Sequence, residues 1–377
     1  MELKNFEKQI AKTGFPLEHK IGSLLRASGW TVINNRYYVD DQEQNVREID
    51  LVAYKSRPVQ HFRVCTTLII SCKKSEQNVW ALLARKKEAY DPNLDQQPVH
   101  IWTNDKALSF MLSKTFWPRD YYSRARELGV ESVLADPSVS IFAFQEMNRE
   151  SGSPQNDRPI FSSITGLMKA QSYEMEALPR RRKTPSIYQF NLVNLVDTQL
   201  VQLYFKDSGQ KATEIEEEHY VARYIINKRE TFARIHFVRS DKFETALEDY
   251  GRLHSANCDI FSKNCDEFYD GVLSDTKRTK IFLEEFEKEV KQSLWSRLLR
   301  SDLNLDAKLD GLWLYWVEKE RRVEVMIPDN VVMGPVSDKV VAFLNDDKEA
   351  KRKVGKSLEK YYRYSGPFSF GIDDVPF

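Results

Sequence analysis

The sequence predicts an α/β protein: a mixed sheet flanked by helices, followed by a C-terminal α+β region. Three observations lead there. The first part of the chain reads as helix, three strands, helix, strand, with another strand later, an order that builds a sheet with helical cover. Its third strand carries the uninterrupted apolar run Leu68, Ile69, Ile70, which suits a strand covered on both faces. Further strand-like and helix-like segments continue to the C-terminus without an internal repeat.

Leu17 to Ser28 is the first helix. Pro16 suits its first turn, Gly29 its exit, and Ile21, Leu24 and Leu25 form its apolar stripe. Glu18 lies three and seven positions before Ile21 and Leu25, on the same face. Trp30 to Val39 and Val46 to Tyr54 read as a hairpin around the polar turn Asp40 to Asn45. In the second of these strands Glu48, Asp50 and Val52 share one face, and Ile49, Leu51 and Ala53 the other. His61 to Lys73 holds the third strand and Gln77 to Tyr90 the next helix. Val99 to Trp102 and Val139 to Phe144 are short strands.

The polar, breaker-rich ESGSPQNDR segment, Glu150 to Arg158, predicts a domain boundary. The expected division is a first domain over 1–150, a linker and helix over 151–185, an α+β domain over 186–270, a C-terminal α+β region over 271–365, and a flexible acidic tail over 366–377. Within these, Phe161 to Glu176 reads as a helix, and Arg180 to Lys183 as a basic run closed by Pro185. Ile187 to Phe205 and Tyr220 to Val238 read as two hairpins. Lys242 to His254 and Thr276 to Arg300 read as helices. Leu312 to Trp316 with Val323 to Ile327 form a further hairpin, and Val336 to Tyr362 is mostly helical. Trp313 and Tyr315 share a strand face, which points to core packing rather than to base stacking.

Composition narrows the function classes. The chain has 377 residues, 41% hydrophobic and 30% charged, as in a soluble globular protein. No apolar run is long enough to cross a bilayer. The opening MELKNFEKQI alternates in charge and lacks an apolar signal core, so the expected location is cytoplasmic and no membrane partner is predicted. Lys and Arg total 56, as do Asp and Glu, which argues against a protein living by non-specific DNA affinity but leaves room for a local basic groove. Cys65, Cys72, Cys258 and Cys265 show no CxxC spacing. Cys258 and Cys265 with His254 miss the usual zinc gaps, so reduced, buried thiols are expected. No P-loop, dinucleotide fingerprint, HExxH or nucleophile elbow is present.

Chemistry concentrates in three strings, PLEHKIGSLLRASGW, REIDLVAY and LIISCKKS. They put Glu18 on a helix, Asp50 in mid-strand and Lys73 at the end of the next strand. Phosphodiester hydrolysis needs a polarised phosphate, an activated water and a stabilised leaving oxygen, all of which a carboxylate-held divalent cation supplies. Magnesium is satisfied by one or two acids, a carbonyl and waters, and a lysine can orient the water and offset phosphate charge. Each residue also has a plainer use. Asp50 can cap or pair within a strand, Lys73 can end a strand in solvent, Glu18 can favour the helix dipole, and Glu48 can pair with Arg47 or Arg36.

The three strings resemble the PD-(D/E)XK nuclease superfamily, the restriction-endonuclease-like fold, over roughly the first 145 residues. In that family an aspartate lies on the second core strand, an acid-x-lysine motif ends the third, and many members add a glutamate on the first helix. The resemblance implies Asp50, Lys73 and Glu18 as catalytic residues. It implies Mg2+ or Mn2+ held by Asp50 and Glu18 with the Cys72 carbonyl, and Glu48 as a relocated acid. The departure is Ser71, which takes the place of the motif's acid and removes one negative charge. The implied function is a metal-dependent endonuclease acting on DNA in prokaryotic defence or repair. RNA is an alternative substrate, because no residue reads ribose against deoxyribose. The alternative of another class is a disabled nuclease fold kept as a nucleic-acid or protein-binding module.

The last six residues, Ile372 to Phe377, are similar to the C-terminal tip of bacterial single-stranded DNA-binding proteins. That likeness implies Phe377 as an anchor for a protein partner, with Asp373 and Asp374 supplying charge. A chance match of a short acidic tail, or a tail packed on its own domain, explains the same residues and is the preferred reading. The sequence carries no statement of oligomeric state.

Overall fold

The computed structural model describes residues 3–41, 43–88, 95, 97–303, 305, 309–328 and 335–373. It separates into two compact units. The first comprises Met1–Asp105 and Thr115–Ser262, the second Lys106–Lys114 and Lys263–Phe377. The elements in chain order are α1 (Leu3–Ile10), α2 (Phe15–Ala27), β1 (Thr31–Val39), β2 (Val46–Val59), β3 (Phe62–Lys74), β4 (Asn78–Arg85), β5 (His100–Thr103), α3 (Lys106–Leu112), α4 (Trp117–Glu127), β6 (Ser140–Asn148), α5 (Arg158–Arg181), β7 (Ser186–Asp197), β8 (Leu200–Lys206), β9 (Gly209–Ile215), β10 (Glu217–Ile226), β11 (Arg229–Arg239), α6 (Phe243–Tyr269), α7 (Thr276–Thr279), α8 (Leu283–Arg300), β12 (Trp313–Val317), β13 (Arg322–Pro328), α9 (Pro335–Asp346), α10 (Lys348–Tyr362) and β14 (Phe368–Asp373).

The first unit is α/β, with mixed sheets flanked by helices. Its larger, seven-stranded sheet runs β1-β2-β3-β7-β11-β10, with β5 also pairing β7. β1, β2 and β3 are antiparallel neighbours, whereas β7 lies parallel to β3 and to β11. β7 is buried along nearly its whole length, as a strand covered on both faces must be. On one face Ile160, Ile164, Leu167 and Met168 of α5 pack with Val52, Cys65 and Ile69. On the other face His254 and Asn257 of α6 reach Thr66 of β3. A four-stranded sheet, β6-β4-β8-β9, completes the unit. α2 ends as its sequence requires. Gly29 takes φ 78°, a left-handed conformation costly for other residues, and the Trp30 N–H returns to the Leu25 carbonyl.

In the second unit β12, β13 and β14 form a three-stranded sheet, with β14 parallel to β13. Phe286, Val290 and Leu294 of α8 share a core with Val354 and Leu358 of α10 and with Val323 and Val325 of β13. Among the described residues no helix is long and apolar enough to cross a membrane, and all four cysteines are buried.

Several expectations are corrected. Gln77 to Tyr90 is not a helix: Asn78–Arg85 is β4, paired with β6 and β8. Ala81, Leu82 and Leu83 favour helix locally, but pairing on both edges and burial of Trp80 and Leu82 override that preference. The end of the expected helix, from residue 89, lies outside the described residues. The segment from Ile187 to Phe205 is not a hairpin, because β7 and β8 enter different sheets. The helix expected over Thr276 to Arg300 is broken between α7 and α8. The boundary at Glu150 to Arg158 falls inside the first unit, where Asn148 and Ser153 close a turn. β7 cannot leave for another domain because it pairs with β3 from Arg63 to Lys74. The flexible tail expected from residue 366 instead contains β14, and Asp373 accepts a hydrogen bond from Trp313 Nε1 at 3.0 Å. Asp374 and Phe377 lie outside the described residues. The core-facing residue of β12 is Leu314, while Tyr315 is exposed and contacts Trp313 edge-on.

Candidate active site at the β2–β3 fork

β2 and β3 pair up to Leu51 opposite Ile70, whereas β3 continues beside β7 to Lys74. Past Leu51 the two strands part, and β3 loses its partner on that edge. The Asp50 carboxylate fills the gap. Its Oδ2 accepts the Cys72 N–H at 2.7 Å, the Ser71 hydroxyl at 3.3 Å and Lys73 Nζ at 3.4 Å. A backbone amide buried without an acceptor is costly, so this aspartate is structurally required as well as chemically placed. A strand residue presents its N–H and C=O to the same edge; the Cys72 carbonyl therefore faces the fork too.

The fork opens onto a cleft of about 310 Å³. Glu48, Asp50, Ser71 and Lys73 line it from the sheet, and Ser162 and Gly166 line it from α5. Alternation explains the sheet side: Glu48 and Asp50 share a face of β2, Ser71 and Lys73 a face of β3. Asp50 and Lys73 keep 21% and 35% of their side-chain surface exposed, enough for a ligand to reach them. Ser71 is buried.

Glu18 joins the group through its charge. Burial, then the negative charges of Asp50 and Glu48, push its carboxyl above the ordinary value, and Lys73 pulls the other way. Burial likewise pushes the Cys72 thiol up, reinforced by Asp50 and Glu18, so its sulfur stays protonated. Glu48 does not pair with Arg47 or Arg36. Its Oε1 accepts from Asn35 Nδ2 at 2.8 Å, Arg47 pairs with Asp40 and Glu43, and Arg36 with Glu174.

Among the described residues, no three His, Cys, Asp or Glu side chains form a group able to hold a metal ion on their own. Asp50, the Ser71 hydroxyl and the Cys72 main chain meet at the fork, while Glu18 is coupled to Asp50 and Glu48 through charge and is not among the residues lining the cleft. Such donors fit magnesium or manganese rather than zinc.

Sequence reasoning missed the helical wall of the cleft. α5 was legible as a helix, but nothing local tied it to Asp50. Behind that wall Ser163 accepts from Asn194 Nδ2 at 2.6 Å, fixing α5 on β7. The other expected sites are dispersed. His254 faces Thr66, and its Nε2 lies 4.0 Å from Cys258 Sγ. In the basic run, Arg181 pairs with Glu174 and Arg182 lies over the Tyr188 ring.

No protein family, curated protein or solved structure was found to match this chain.

Proposed function

We propose that this protein is a divalent-metal-dependent phosphodiesterase that cuts DNA, with a restriction-endonuclease-like core and its active site at the β2–β3 fork. The observation that carries the reading is the contact of Asp50 with both Cys72 and Lys73 where the strands part. Topology adds support. Taken without the intervening β4 to β6, the order α2-β1-β2-β3-α5-β7 gives a sheet β1-β2-β3-β7. That is the helix, three strands, helix, strand order expected of the PD-(D/E)XK resemblance, with α5 replacing the segment first read as its second helix.

Asp50, Glu18 and the Cys72 carbonyl would hold magnesium or manganese. When bound, the metal supplies Lewis acidity toward a phosphate oxygen and its bound water. Lys73 offsets negative charge gathering on the phosphate and orients a water in the cleft. Ser71 leaves the site one acid short, so a bound cation would rely more on water for its remaining ligands. The setting would be nucleic-acid defence or repair.

The test is cleavage of plasmid DNA and of a single-stranded RNA with magnesium or manganese. Wild type should cut DNA. Asp50→Asn and Lys73→Ala should each lose on the order of 100-fold or more. Equal cleavage by all three, or none by any, would overturn the reading, and cleavage of RNA alone would correct the substrate.

One observation favours a second reading. Lys73 and the Ser71 hydroxyl already engage Asp50 Oδ2 without a metal, as expected of a disabled fold kept for binding. Manganese should then leave the melting temperature unchanged, whereas a live site should show stabilisation that Asp50→Asn removes.

A further inference from the structure

Beside Asp50 the neighbouring strand breaks its own pattern. Asn34 of β1 pairs with Leu51 and Arg36 with Ile49, so Asn35 stands opposite Asp50, and the ladder skips that position. The Asn35 backbone is left-handed there, with φ 52°. That conformation is costly for most L residues, cheaper for asparagine and free for glycine. Glycine would serve better if the bend alone mattered. What asparagine adds is its amide, and Nδ2 donates to Glu48 Oε1 at 2.8 Å.

Glu48 is exposed and lines the fork cleft on the same strand face as Asp50. Among the described residues lining that cleft, the carboxylates are Glu48 and Asp50. Like charges so close repel, and an untethered glutamate would swing out into water. The arginines of the same hairpin are engaged elsewhere, Arg47 with Asp40 and Glu43, Arg36 with Glu174. A guanidinium would in any case cancel the charge it held. A neutral amide fixes one carboxylate oxygen and leaves the negative charge and the second oxygen for a cation. This matters at a fork where Ser71 stands in place of an acid.

We propose that Asn35 is a positioning residue: it holds Glu48 beside Asp50, so that Glu48 joins Asp50 in facing a divalent cation and makes good the charge missing at position 71. The inference rests on the reading of the fork as a metal site.

Calorimetric titration of the full chain with manganese tests it without a nuclease assay. Asn35→Gly keeps the left-handed backbone and removes only the amide. It should weaken manganese binding about tenfold and leave the metal-free melting temperature in place. Glu48→Gln should weaken binding at least as much. Adding Asn35→Gly to Glu48→Gln should cost nothing more, because the two residues act as one unit. A purely structural asparagine would instead lower the metal-free melting temperature and leave manganese affinity unchanged. That result, or losses that add in the double variant, would overturn the proposal. Binding that Asp50→Asn abolishes and Asn35→Gly spares would sink this inference while the metal-site reading stands; no binding by wild type would sink both.

Discussion

At position 71 a hydroxyl stands where the resembled motif has an acid, and it is employed: it donates to Asp50 Oδ2 at 3.3 Å. Restoring the acid should therefore act in two directions. Ser71→Asp places a second carboxylate in a buried position beside Asp50, which should cost on the order of 2–4 kcal/mol without metal. The same charge should strengthen cation binding. The expected result is a lower melting temperature in chelator and a larger manganese-induced rise than in wild type. An unchanged manganese response would show that position 71 does not reach the cation. Asp50 and Lys73, which the fold brings into contact, were legible because charged residues interrupted apolar periodicity. Asn35, which holds Glu48, was not, since it reads as an ordinary strand-edge polar residue.

Among elements, α10 shows how one side chain sets two helices. Asp347 caps it, accepting from the Glu349 and Ala350 amides at 2.9 Å each. The same carboxylate accepts from Arg297 Nε of α8 at 2.8 Å. Burial alone would raise this carboxyl, but the Ala350 amide and Arg297 outweigh it and hold it below its ordinary value. Asp347→Ala should destabilise the second unit by about 2 kcal/mol, and Asp347→Asn by less, because the amide oxygen can still cap. Urea unfolding of both variants checks this. Helices with a clear 3.6-residue stripe, such as α2, α8 and α10, were readable from sequence. β4 was not, because its helix-favouring Ala and Leu residues are held extended by pairing on both edges. β14 was missed for a related reason: Phe368 to Asp373 becomes a strand only beside β13.

For the whole molecule, the hardest feature to read was which distant segments meet. β3 and β7 pair along twelve positions yet are separated by β4, β5, β6 and several helices. No local period encodes that partnership, which is why a polar loop near residue 150 looked like a boundary. A fragment ending at Glu150 lacks β7 and leaves the apolar edge of β3 open. It should aggregate or show no cooperative unfolding by circular dichroism, where the full chain melts cooperatively. Acid should also weaken the fold. Burial, then Arg57 and Lys55, lower His254 from 6.5 to about 4, and His100 and His219 are lowered too, first by burial. Each stays neutral in the fold while the unfolded chain takes up a proton. The His254 contribution is thus complete above pH 6.5 and is lost as pH falls toward 4, and those of His100 and His219 have the same sign. For His254 alone this is roughly 3 kcal/mol. Between pH 7 and pH 5 the urea midpoint of wild type should fall, and that of His254→Asn should fall less.

The carboxylate at the strand fork has a practical consequence for anyone making an inactive form. An alanine there would erase a charge and, in the same stroke, strand the Cys72 amide, so a silent assay would not distinguish lost chemistry from a frayed strand end. Asparagine keeps an oxygen for that amide while discarding the charge. The informative knockout is the isosteric one, and any gap between the two variants measures how far Asp50 serves as a joint rather than as a reagent.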